Sequence, residues 1–152
     1  MSQFRRYSAL AVFVGIVAVA AVFGSRYMPG LWYASLNKPA WTPPNWLFGP
    51  VWTILYMMIA VAGWRVWRAG GVSLALGIWL FNVAANGLWS YLMFGQHNIG
   101  LALADISVVW LSIVAFIVLA RPIDRWASLL FVPYLVWVTY ASALNVALWS
   151  LN

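Results

Sequence analysis

Five stretches of this chain are apolar for far longer than a soluble helix requires, and polar residues collect in the breaks between them. They run at about 7–25, 47–67, 72–94, 99–120 and 126–149. Each approaches the roughly 20 residues that a helix rising about 1.5 Å per residue needs to cross a hydrocarbon core about 30 Å thick. Backbone groups in lipid must bond within their own segment, so such runs are helices rather than strands. Links between the last four are short, which makes successive helices antiparallel neighbours. The pattern predicts an all-α integral membrane protein: a single domain over 1–152, folded as a bundle of five transmembrane helices. Arg5-Arg6 before the first stretch resembles the start of a cleavable leader, but the apolar run Tyr7–Phe23 exceeds the leader core of about 7–15 residues. It is read as a span.

Composition strengthens that picture. Of 152 residues, 66% are hydrophobic and 7% charged, with a mean hydropathy of +0.91; ordinary soluble domains are about 45–50% apolar and about 25% charged. The excess must face lipid. With alternating spans, Arg5, Arg6, Arg65, Arg68, Arg121 and Arg125 fall on one side, and Arg26 and Lys38 on the other. The positive-inside rule then predicts a cytoplasmic amino terminus and an outside first loop, given a bacterial inner membrane. Although the net charge is +6, no basic run is dense enough to track a nucleic-acid backbone. The absence of cysteine excludes disulfides and thiolate chemistry. With only His97, placed in the third loop, no metal site is expected.

The first loop, 26–46, reads RYMPGLWYASLNKPAWTPPNW. Pro29, Pro39, Pro43 and Pro44 remove amide donors and push their predecessors toward extended backbone. Pro44 is expected to start the second spanning helix, with Thr42 or nearby polar groups capping it. Trp32, Tyr33, Trp41 and Trp46 suit headgroup depth, but such a stiff aromatic run between two helices also predicts a lid over one end of the bundle.

Ordered motifs run through most of the chain. The loop carries Trp32-Tyr33-x-x-Leu36-x-Lys38-Pro39-x-Trp41-x-Pro43-Pro44, followed by Trp52-x-x-Leu55-Tyr56. The third span has Asn82-x-x-x-Asn86-x-x-Trp89, and the fourth Ala104-Asp105. The fifth has Pro133-Tyr134-x-x-Trp137-x-x-Tyr140-Ala141-x-x-Leu144-Asn145-x-x-x-Trp149. On these residues the chain resembles the TspO/translocator-protein family, also known as peripheral benzodiazepine receptors. The resemblance implies a bundle, commonly dimeric, with a cavity under the first loop that takes porphyrins and benzodiazepine-type ligands. Animal members also bind cholesterol through a basic residue soon after a fifth-helix tyrosine. No basic residue follows Tyr140 here, so cholesterol binding by that route is not expected.

The residues themselves point the same way. Asn82 and Asn86 share a helix face with Trp89; Asn82 suits inter-helix hydrogen bonding, and the resemblance turns Asn86 toward a ligand. Asp105, about a turn and a half into its span, is read as bonded to a neighbouring helix or neutral near the interface. Tyr134, Trp137, Ala141 and Asn145 form one stripe of the fifth helix, which Pro133 is expected to bend. Small-residue spacings, Gly71/Ala75 and Ala11/Gly15, offer close helix contacts or dimerisation. The 12 tryptophans favour a flat, apolar π ligand.

The candidate ligand site is therefore Trp32, Tyr33, Leu36, Pro39 and Pro43 from the loop, with Trp52, Tyr56, Asn86, Trp89, Trp137 and Ala141 from the spans. Lys38 or Arg26 would face ligand carboxylates. The expected ligand is protoporphyrin IX or a related tetrapyrrole, with no cofactor required. Other expected partners are membrane lipid and a second copy in a homodimer. No conventional acid–base pair, nucleophile or metal cluster is evident. The alternatives are light- and oxygen-dependent porphyrin breakdown, with Trp52 and Trp137 as the reacting partners, or transport of porphyrins or other lipophilic molecules.

Overall fold

The computed structural model describes residues 2–152. Its helices are α1 (Gln3–Ser25), α2 (Leu31–Ser35), α3 (Asn45–Gly70), α4 (Leu74–Ser90), α5 (Ile99–Ala120), α6 (Arg125–Leu130) and α7 (Val132–Leu151), with no strand among the described residues. Segments α1, α3, α5 and the joined α6–α7 are each long and apolar enough to cross a bilayer. Helix α4 has 17 residues, about 26 Å of α-helix and short of a full crossing. It runs directly into a π-helical turn, Tyr91–Gly95, which completes the fifth rod.

Helix α1 packs on α3 and α4, α4 on α5, and α5 on α7; α6 fills the angle between α3 and α5. Helices α3 and α7 have no extensive contact. At the end carrying most of the arginines, here the basic end, α3 is held instead to α6. Arg65 and Asp124 are 2.9 Å apart there, and Asp124 also accepts the Ala127 amide at 2.9 Å as the α6 cap. Burial would raise the Asp124 carboxyl, but the Ala127 amide and Arg65 outweigh it and hold it below its ordinary range.

Close packing in this half depends on Gly63. A Cβ there would collide with the Trp79 ring. The Trp79 indole fills that space and donates to the Ile59 carbonyl at 2.8 Å. It also meets Phe13 of α1, ring centres 5.0 Å apart. An indole seated on a helix backbone satisfies its N–H and brings α3 and α4 together at once.

Several local expectations are revised. The fifth span is broken at Phe131, and Pro133 sits in the first turn of α7, where its missing N–H costs no helical bond. Pro44 precedes α3 as its cap residue, and the Thr42 hydroxyl donates to the Pro39 carbonyl at 2.8 Å instead of capping that helix. Gly71 ends α3 at φ 63, a left-handed conformation that glycine adopts without a Cβ penalty. Its role is thus termination rather than packing. A Cβ at Gly15 would meet no other part of this chain, whereas Gly87 admits α1, its would-be Cβ 3.3 Å from Ala20.

Candidate functional site

Where α3 and α7 stand apart, the half of the bundle nearer the first loop holds a cavity of about 420 Å³. That volume lies within the roughly 300–1,000 Å³ of small-molecule sites. Trp52 and Tyr56 of α3, Asn86 and Trp89 of α4, and Trp137 and Ala141 of α7 all line it. The pairs are three or four residues apart, so each helix presents its pair on one face. Trp52 and Tyr56 tilt against each other at 5.4 Å, and Phe48 meets Trp137 edge-on at 5.9 Å. Small Ala141 leaves room beside these rings.

A polar network under the aromatic wall fixes several of its members. The Tyr134 hydroxyl donates to Asn82 Oδ1 at 3.2 Å, and Asn82 Nδ2 donates to Ser112 Oγ at 2.8 Å. Asn86 Nδ2 donates to the Tyr134 oxygen, while Tyr56 donates to Asn86 Oδ1 at 3.4 Å. These bonds join α3, α4, α5 and α7, which is the inter-helix role expected of Asn82. Higher up, Trp89 Nε1 donates to Asn145 Oδ1 at 3.0 Å, and Asn145 Nδ2 donates to the Ile99 carbonyl at 3.2 Å. Buried polar groups paired in this way hold their side chains in single orientations.

Trp137 is different. Its indole Nε1 is buried without an acceptor, leaving a donor free on a residue of the cavity wall. The inter-helix bond expected of Asp105 is not made among the described residues: Asp105 is buried on α5, and its Oδ2 has no hydrogen bond. It lies outside the cavity lining.

The first loop is placed differently from expectation. Trp32, Tyr33, Leu36, Pro39 and Pro43 do not line the cavity. Short helix α2 turns Tyr33 into a second apolar cluster with Met93, Ala102, Leu144 and Leu148, against which Trp32 and Leu36 pack. Tyr33 meets Phe94 edge-on at 5.4 Å, and burial, followed by the nearby Tyr140 phenol, raises its hydroxyl pKa above the usual value. Trp32 stacks on His97, centroids 4.4 Å apart and planes 8° from parallel, so His97 is not simply a solvated loop residue. Lys38 donates to the Ala34 and Leu36 carbonyls at 3.2 Å and is thereby folded into the loop. Arg26 is exposed between Ser25 and Tyr27, both lining residues.

The loop is also tied to α7. Tyr140 donates to the Trp41 carbonyl at 2.6 Å, and Asn152 exchanges two 2.9 Å bonds with the Asn37 backbone. Its two ends, at Tyr27–Pro29 and Asn45, are what reach the cavity. Phe48 was legible as the residue four before Trp52. Phe94 was not, because it follows Trp89 by five, off the α-helical repeat. The π turn rotates it back, so that Trp89 and Phe94 meet at 5.5 Å.

The comparisons with known proteins agree with this architecture. Residues 8–150 match the model of the TspO/MBR family. Protein CrtK of Rhodobacter capsulatus is 39% identical over 149 residues, covering 93% of this chain and 91% of that protein. The tryptophan-rich sensory protein of Cereibacter sphaeroides is 39% identical over 140 residues, covering 92% and 89%. The human translocator protein is 35% identical over 137 residues, covering 85% and 81%. A helical membrane bundle with these motifs, matched over nearly its whole length, belongs to the TspO/MBR family.

Proposed function

We infer that this protein is a membrane receptor or regulator that takes a flat tetrapyrrole, of the protoporphyrin IX class, into the cavity between α3 and α7. The observation that carries this reading is the wall itself: Trp52, Trp89, Trp137 and Phe48 around about 420 Å³. Planar rings of this kind favour stacked or edge-on partners over flexible aliphatic ones. The Trp137 ring would supply a face or edge for the ligand, and Arg26 at the rim would face its carboxylates. Benzodiazepine-type ligands share the flat aromatic body and would use the same space. The first loop acts as a lid fastened to α7, and the working unit is a homodimer with its amino termini in the cytoplasm.

Titration of purified protein with protoporphyrin IX tests the site. Tryptophan fluorescence should fall saturably, with Trp137→Ala and Trp52→Ala each weakening binding by tenfold or more. Unchanged affinity in both variants overturns the assignment. Placement of Trp52 and Trp137 on one cavity supports a second reading, light-driven oxidation of the bound pigment. Illumination with and without oxygen decides it, since pigment loss in the absence of oxygen rules that reading out.

A further inference from the structure

At the basic end of the bundle the arginines are not evenly spread. Among the described residues the only ion pair is Arg65–Asp124, so Arg5, Arg6, Arg68, Arg121 and Arg125 have no carboxylate. Three of the five gather along the seam between the start of α1 and the end of α3. The Trp64 indole donates to the Arg6 carbonyl at 3.1 Å and joins the two helices. The Arg68 guanidinium lies 4.6 Å from the Trp64 ring centre, one helical turn further on.

Beside this junction is a shallow, open groove lined by Arg5, Ser8, Ala9, Val12 and Trp67. Its lining is graded along α1. Arg5, Ser8 and Val12 recur at three and four residues on one face, about 10 Å from the charged end to the apolar end. Val12 is 60% exposed, so the groove opens outward, away from the bundle core and the ligand cavity. The Ser8 hydroxyl already donates to the Arg5 carbonyl at 3.1 Å, which leaves recognition of an anion to the guanidinium groups. A charged mouth at headgroup depth over an outward-facing apolar trough matches one kind of molecule: a phosphodiester attached to an acyl chain.

We propose that the α1–α3 groove is a binding site for an anionic phospholipid. Arg5 holds the phosphodiester, Arg6 and Arg68 supply the surrounding positive field, and an acyl chain lies along Ala9, Val12 and Trp67. A zwitterionic lipid carries the same phosphate, but its own ammonium cancels the charge that three uncompensated arginines favour. Inorganic phosphate has no chain to occupy the trough.

Native mass spectrometry of the full chain in detergent provides the test, with phosphatidylglycerol and phosphatidylcholine of identical acyl chains. Phosphatidylglycerol should be retained in preference. Arg5→Gln should weaken its retention about fivefold, the effect of one basic residue at a membrane surface. Val12→Trp fills the trough at an exposed position without altering charge, and should displace the lipid while leaving the melting temperature unchanged. Arg125→Gln, at the same end but off the groove, should leave retention unaltered. The proposal is overturned if the two lipids are retained equally or if Arg125→Gln matches Arg5→Gln. It is also overturned if Val12→Trp has no effect, or if millimolar inorganic phosphate displaces the lipid.

Discussion

The two halves of this bundle are built from the same residue types, yet one is filled and the other hollow. At the basic end Trp79 lies directly on the α3 backbone at Gly63, and Arg65–Asp124 locks α6 against α3. At the loop end Trp52, Trp89 and Trp137 stand around about 420 Å³ of space. Tryptophan closes a gap where a glycine lies opposite it and props one open where other large rings face it. Between the halves lies the network of Asn82, Asn86, Tyr134 and Ser112, which makes a rigid floor for the hollow half.

Truncation should therefore be costly in the filled half and cheap in the hollow one. Trp79→Ala removes the central plug and should destabilise the protein by about 3–5 kcal/mol, read as a large fall in melting temperature in detergent. Gly63→Val should come close to it, because the added methyls enter the Trp79 ring and overpacking costs about 1–3 kcal/mol. Tyr134→Phe cuts the floor and should cost about 1–2 kcal/mol; a loss of ligand affinity alongside it would show that the floor also positions Asn86.

Arg65→Gln should cost about 1–2 kcal/mol at neutral pH, between the values for exposed and buried pairs. Its sign with pH follows from the lowered Asp124 carboxyl. Stability from the pair is fully present above the ordinary carboxylate value of about 4 and is lost as pH falls through the lower folded value. The gap between wild type and Arg65→Gln should therefore narrow on acidification. The smallest effect is expected at Trp137→Phe, which removes a donor that has no partner. Stability should change by less than about 0.5 kcal/mol while ligand affinity falls. A stability loss at Trp137 as large as that at Trp79 would erase the distinction between the halves.

The helix faces that meet at the cavity were legible in the sequence, since Trp52/Tyr56, Asn86/Trp89 and Trp137/Ala141 follow the α-helical repeat. The loop contribution was not. Trp32 and Tyr33 carry the strongest aromatic signal in the loop, but α2 directs them into the Met93 cluster, and the less conspicuous Tyr27, Met28 and Pro29 reach the cavity. A loop has no fixed period from which its inward face can be read.

By itself, then, the sequence determined that this chain lies in a membrane, how many times it crosses, which end is basic and which helix faces are polar. Those properties follow from run length, hydropathy and a constant turn of about 100° per residue. Tertiary structure alone decided the break at Phe131, the π turn that returns Phe94 to the cavity, and the gathering of Arg5, Arg6 and Arg68 at one seam. Each depends on which residues far apart in the chain come to share the same space, and hydropathy along a chain carries no record of that.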